Sequence, residues 1–147
     1  MDTNKKPGVG FGVMILNKDG QILLGKRHDN PEKADSVLKG AGTWTMPGGK
    51  LHFQETFEDG AHREILEETG IEIDKNNLQL ISITNNIVED AHFVTLGFLC
   101  KEFIGEAKVL EPDEITEWKW FGLENLPSPL YFPSQQVLAN FKRKVIY

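Results

Sequence analysis

The sequence predicts a mixed α/β fold, and three observations carry that prediction. Short apolar, partly β-branched runs separated by turn signals recur along the chain. One central segment has helical spacing between a capping signal and a glycine, and a second stretch of helical periodicity lies near the C-terminus. At 147 residues the chain suits one domain with a sizeable core. With no repeat, linker or low-complexity tract, residues 1–147 read as a single unit.

In chain order, Val9 to Leu16 is an apolar strand, Asn17-Lys18-Asp19-Gly20 a turn, and Gln21 to Arg27 a second strand. Residues 28 to 43 mix charge, Gly and Pro and read as a long loop, which in a compact domain is more often functional than idle. After Trp44-Thr45-Met46, the Pro47-Gly48-Gly49 break lets the backbone approach something closely. Leu51 and Phe53 alternate with polar neighbours, which predicts a short strand. Thr56 with Asp59 three residues on is a loose capping box that opens a helix at about Phe57, and Gly70 fits its C-terminal cap. Leu78 to Thr84, Phe93 to Phe103 and Glu117 to Phe121 read as strands. Ser134 to Ile146 reads as a helix, with Val137, Leu138, Phe141 and Val145 on one stripe.

Composition narrows the function. The net charge of −6 argues against a general nucleic-acid binder, which needs positive potential along the phosphates. A small phosphorylated ligand is still compatible, because bound cations invert the local field. No apolar run is long enough to span a bilayer, and MDTNKKPG lacks the apolar segment of a secretory signal. A lone Cys100 can form no internal disulfide, which together with these points favours a reducing, cytoplasmic setting.

The central helix carries the chemistry. At about 100° per residue, Glu64, Glu67 and Glu68 share an arc of roughly 100°, beside the stripe of Phe57 and Ala61 that should face the core. Acids that served only solubility would lie opposite that stripe. Arg63 can reach Glu67 one turn on, but one arginine does not balance so many acids. Mg²⁺ or Mn²⁺ would fill the deficit, being hard cations that take a few carboxylates and keep open positions for phosphate oxygens. Glu55, just ahead of the helix, can pair with Arg63 or accept from the free N–H groups at the helix start.

The segment from Gly49 to Ile71 resembles the Nudix box, G-x5-E-x7-R-E-U-x-E-E-x-G-U with U aliphatic. Gly49, Glu55, Arg63, Glu64, Ile65, Glu67, Glu68, Gly70 and Ile71 match every fixed position. Similarity extends over about residues 8 to 133, through the first two strands, Trp-x-x-Pro-Gly-Gly, and Glu111-Pro112 with Trp118-x-Trp120. One departure is Gln54, where a glycine is common, and it bears on the turn leading into Glu55. The resemblance implies an α/β/α sandwich with a mixed sheet between helices, and hydrolysis of a nucleoside diphosphate linked to another group. It implies Mg²⁺ on Glu64, Glu67, Glu68 and the Gly49 carbonyl, with Arg63 and Glu55 orienting the acids. Glu67 or Glu68 is the first choice to deprotonate the attacking water, with Glu111 or Glu114 as the alternative. His28, His52, His62 and His92 are scattered and read as ordinary surface or strand positions.

Neither the proline of ADP-ribose hydrolases nor the tyrosine of dinucleoside polyphosphate hydrolases follows the box; Thr84-Asn85-Asn86-Ile87 stands there instead. This resembles the MutT-like branch, which converts nucleoside triphosphates, including oxidised ones, to monophosphate and pyrophosphate. On that resemblance Gly48 and Gly49 adjoin the substrate, Tyr131 and Phe132 stack on the base, and Thr45, Asn85 and Thr95 supply hydrogen bonds. Trp118 and Trp120 are expected to pack, while Lys26 and Arg27 are within reach of phosphates. A hydrolase of ADP-ribose, a nucleotide sugar or a pterin triphosphate is the runner-up. A non-catalytic nucleotide sensor is disfavoured, because all four box acids are present. The implied partner is a small nucleotide rather than nucleic acid or membrane. A homodimer through Phe98–Phe103 is possible by analogy.

Overall fold

The computed structural model describes residues 5–33 and 40–147. Part of the predicted loop, residues 34–39, lies outside the described residues. Strands β1 (Gly8–Ile15), β4 (Gly48–Lys50), β6 (Leu78–Val88) and β7 (Ala91–Cys100) form one sheet in the order β4-β1-β7-β6. β1 runs parallel to β7, while β4 and β6 pair antiparallel with their neighbours, so the sheet is mixed. β2 (Gln21–Arg27), β3 (Trp44–Thr45) and β9 (Ile115–Gly122) make a second, antiparallel sheet ordered β3-β2-β9. A short ribbon joins β5 (Glu72–Ile73) to β8 (Phe103–Ile104).

Both faces of β1 are apolar, and each packs under a different helix. Phe11, Val13 and Ile15 join Ala61 and Ile65 of α1 (Phe57–Thr69) in one buried cluster. Met14 and Leu16 join Val137 and Leu138 of α2 (Phe132–Arg143) in the other. β2 alternates likewise, with Leu23 in the first cluster and Ile22 and Leu24 in the second. Helices on opposite faces of a mixed sheet are the predicted α/β/α arrangement. Among the described residues no helix is long and apolar enough to cross a membrane.

α1 starts where its cap predicts. The Thr56 side chain accepts from Asp59 N–H at 3.1 Å, and Gly70 closes the helix at φ 79° with its N–H on the Leu66 carbonyl. α2 begins two residues ahead of prediction, because Pro133 is compatible with a first turn. The apolar run after Phe93 breaks at Lys101, and Phe103 belongs to a separate strand, stacked on Trp120 at 5.8 Å. Phe98, Leu99 and Cys100 are buried in the core, and within Phe98–Phe103 only Lys101 and Glu102 are exposed. Trp118 and Trp120 pack against the α1-side cluster, as expected of them.

The predicted strand at Leu51 and Phe53 is displaced to Gly48–Lys50. Two glycines decide this. A Cβ on Gly48 would overlap the Phe11 carbonyl, so only a bare backbone lies this close to β1. The chain then turns back through Gln54, which holds φ 64° in the left-handed region that favours glycine. Removing that strain in Gln54→Gly is expected to stabilise the protein by about 1 kcal/mol, seen as a higher urea midpoint at unchanged slope.

Candidate active site

Arg63 organises the acids of α1. Its Nε and Nη2 donate to the two oxygens of Glu55 at 2.7 and 3.0 Å, a bidentate pair. Nη1 donates to Glu64 Oε1 at 2.7 Å and lies 3.6 Å from Glu67 Oε2, while Nη2 also reaches the Lys50 carbonyl at 3.1 Å. The bond from Arg63, helped by the His52 N–H, holds the Glu55 carboxyl down at about 2. The guanidinium in turn is held more firmly protonated, first by Glu55 and then by Glu64.

Glu68 adjoins Glu64 but forms no ion pair with Arg63. Only 8% exposed, it accepts from Gly48 N–H at 3.1 Å and has no ion-pair partner among the described residues. Burial pushes its carboxyl well above the usual range, and repulsion from Glu64 adds to the shift. Glu111 is also raised, first by burial and then by the charges of Glu114, Glu64 and Glu67. The loop acids before β9 therefore stand in the field of the helix acids.

Glu64, Glu68, Gly48 and Gly49 line one cavity of about 510 Å³. A Cβ on Gly49 would come within 2.7 Å of both Glu64 carboxylate oxygens, so the glycine brings its backbone against that acid. The opposite wall comes from the α2 side: Thr45, Thr95, Tyr131 and Ser134 line the same cavity. Thr95 Oγ1 donates to Asn86 Oδ1 at 2.6 Å, and Asn86 Nδ2 donates to Gln136 Oε1 at 2.6 Å. Arg27, its Nε on the Gly40 carbonyl at 2.9 Å and its guanidinium 4.8 Å from the Tyr131 ring centre, completes that side.

Five predicted site residues do not line the cavity: Arg63 and Glu55, which pair beside it, and Asn85, Phe132 and Glu67. Asn85 is exposed and hydrogen-bonds His92 Nε2 at 2.9 Å, because alternation along β6 turns it away from the face that carries Asn86. Phe132 is 60% exposed at the first position of α2, so of the two aromatics only Tyr131 borders the cavity. Glu67, with its side chain 54% exposed, turns toward Arg63. Asn86 and Ser134 were not singled out from the sequence. Asn86 was open to a strand-alternation argument, but Ser134 gave no local signal.

The acids fit a hard divalent cation in kind. Glu68 is buried with no compensating charge, and Glu64 and the Gly49 backbone border the same space. Among the described residues no three His, Cys, Asp or Glu side chains converge on one point. Arg63 is the reason on the α1 side, since it occupies Glu64 and draws Glu67. Joint ligation by Glu64, Glu67 and Glu68 therefore requires those two acids to exchange Arg63 for the ion.

A NUDIX domain model matches residues 6–141. The chain belongs to the Nudix family. It is 36% identical to a MutT NUDIX hydrolase from Burkholderia pseudomallei, with a TM-score of 0.80 over 92% of this chain and 98% of that one. It is 32% identical to an ADP-ribose pyrophosphatase from Methanocaldococcus jannaschii, over 88% of this chain and 70% of that protein. An RNA pyrophosphohydrolase from Pelagibacter ubique is 28% identical over 92% and 89%. The protein is an enzyme, a Nudix pyrophosphohydrolase, of a family that generally uses a divalent metal.

Two consequences for stability follow. The raised pKa of Glu68 means that the folded state holds its proton more tightly than the unfolded chain. Its destabilising effect is therefore absent below about 4.5, the unfolded value, and grows as pH rises above it. Without added metal, Glu68→Gln is expected to melt above the parent at neutral pH and to converge with it in acid. Glu55 has the opposite sign: its stabilising pairing is complete above 4.5 and is lost as pH falls toward about 2. Parent and Glu55→Gln melting curves should differ at pH 6 and draw together across that acid window.

Proposed function

We propose that this Nudix enzyme hydrolyses nucleoside triphosphates, unmodified or oxidised in the base, to nucleoside monophosphate and pyrophosphate with Mg²⁺. One observation carries the reading: two Nudix-box acids, Glu64 and Glu68, share a single cavity with a hydroxyl-lined wall fit to meet a base. Its volume, about 510 Å³, is in the range of pockets that take one small ligand. We take residues 1–147 to act as one catalytic unit in a cytoplasmic setting, with a free nucleotide and not a nucleic-acid chain as substrate. The charge of −6 supports that preference, since a long polyanion would be repelled.

Glu64 and Glu68, with the Gly49 carbonyl, would hold the ion, and Glu67 would join them on leaving Arg63. When bound, Mg²⁺ neutralises phosphate charge and acidifies water. The chain's own contribution is positioning and proton transfer. The water oxygen bonds to a phosphorus, its proton passes to a carboxylate, and the bridging oxygen departs with the pyrophosphate. Glu68 is one box candidate for the proton-accepting role, because its carboxylate borders the cavity. Glu67 is the other box candidate; Glu114, which lines the cavity, and Glu111 form the second pair. Glu55 fixes Arg63, and through it the neighbouring acids. Arg27, Tyr131, Thr45 and Thr95 would contact the nucleotide away from the acids.

The relatives named ADP-ribose pyrophosphatase and RNA pyrophosphohydrolase support a second reading, a different group beyond the diphosphate. A panel of dGTP, 8-oxo-dGTP, dCTP, ADP-ribose and 5′-triphosphorylated RNA, read out by product identity, separates the two. Pyrophosphate and monophosphate from the free triphosphates are the expected products. Glu67→Gln and Glu68→Gln should lower kcat by about 10²–10⁴-fold with the fold retained, and Glu111→Gln by less than about 10-fold. Parent-like turnover in both box variants would end the assignment of those acids.

A further inference from the structure

The hydroxyls of Thr45 and Ser134 sit together on the α2 side of the cavity, 7% and 5% exposed. Their hydrogen bonds run in one direction. Met46 N–H donates to Ser134 Oγ at 3.0 Å, and Ser134 Oγ stands 3.3 Å from Thr45 Oγ1. Thr45 Oγ1 in turn donates to the Met46 carbonyl at 2.9 Å. A backbone N–H only donates and a carbonyl only accepts, so Met46 fixes both ends of this relay. Thr45 sends its hydrogen to the carbonyl, and Ser134 therefore supplies the hydrogen between the two hydroxyls. Each oxygen has then used its one hydrogen and one of its two lone pairs. One lone pair remains on each, and no donor. Thr95, whose hydrogen goes to Asn86, adds a third oxygen of the same polarity to the cavity wall.

We propose that this wall reads a hydrogen-bond donor on the nucleobase: Thr45 and Ser134, seconded by Thr95, accept from an exocyclic amino group. The protein then favours an aminated base over its oxo counterpart. The inference rests on the nucleotide reading above. An oxo group here would face hydroxyl oxygens with no hydrogen between them and would give up its water without replacement, whereas an amino group is paired. Sites built on buried polar partners discriminate strongly against an analogue that leaves them unpaired.

The test compares nucleotides that differ by amino against oxo at one such group: ATP with ITP, CTP with UTP, and GTP with XTP. Dissociation constants by calorimetry and kcat/KM are both measured with Mg²⁺ present. In at least one pair the amino member is expected to be preferred about 10-fold or more. Thr45→Val removes the acceptor of the Ser134 hydrogen and frees it to donate into the cavity, so the preference should shrink to within about 2-fold or invert. Thr45→Ser keeps the relay and should keep the preference. Equal binding of every amino and oxo pair by the parent overturns the subsite, and that comparison decides even if Thr45→Val does not fold. A folded Thr45→Val with the parent's preference also overturns it. Pair preference without cleavage of any triphosphate would overturn the triphosphatase reading alone, and binding of none of them would overturn both.

Discussion

The structure depends on how closely β4 lies between β1 and α1. Gly48 and Gly49 bring bare backbone against the Phe11 carbonyl on one side and the Glu64 carboxylate on the other. No other residue type tolerates both contacts. That approach lets the Gly48 N–H meet Glu68, and it sets the Gly49 backbone beside the Glu64 carboxylate. A side chain at Gly48 would push the strand away from β1, and one at Gly49 would displace the Glu64 carboxylate.

Close packing of acids carries a cost that the fold divides unequally. Arg63 offsets Glu55 and Glu64 directly and draws on Glu67, which makes the exposed side of the cluster stable without any ligand. Glu68 receives one backbone N–H and no cation, and its buried charge is the unresolved part of the balance. A site that meets its charge only when occupied is pre-organised for a cation at the expense of the empty fold. Gln54, held at φ 64° in the turn before Glu55, is a second local cost that aims an acid at Arg63.

Much of this was legible in the sequence because the signals are local. The Thr56 cap, the Gly70 terminus and the helical spacing of the box acids all lie within one helix, and the structure reproduces each. The bare Gly48-Gly49 pair announced a close approach, though not that the approach would itself be a strand. What the sequence concealed depends on register between distant segments. Asn85 and Asn86 look equivalent until the pairing of β6 with β7 assigns a face, and an irregularity between Leu80 and Ser82 disturbs the count before it reaches them. Ser134 is 88 residues from Met46, and no local pattern could have joined them. Within Phe98–Phe103 the burial of Phe98, Leu99 and Cys100 is ambiguous in sequence for a related reason: an apolar run suits an interface and a sheet buried on both faces alike.

The two walls of the cavity are built on different physical terms. The α1 wall works through charge, which fixes the reaction type and is indifferent to what lies beyond the phosphates. The α2 wall works through directed hydroxyls held by backbone and amide partners, with Met46, Asn86 and Gln136 deciding where each hydrogen goes. Because α1 and α2 pack on opposite faces of the sheet, through separate buried clusters, the selective wall can change while the chemistry stays in place. On the proposed reading, the choice of substrate would rest on these long-range contacts, and the reaction class on a short stretch of helix.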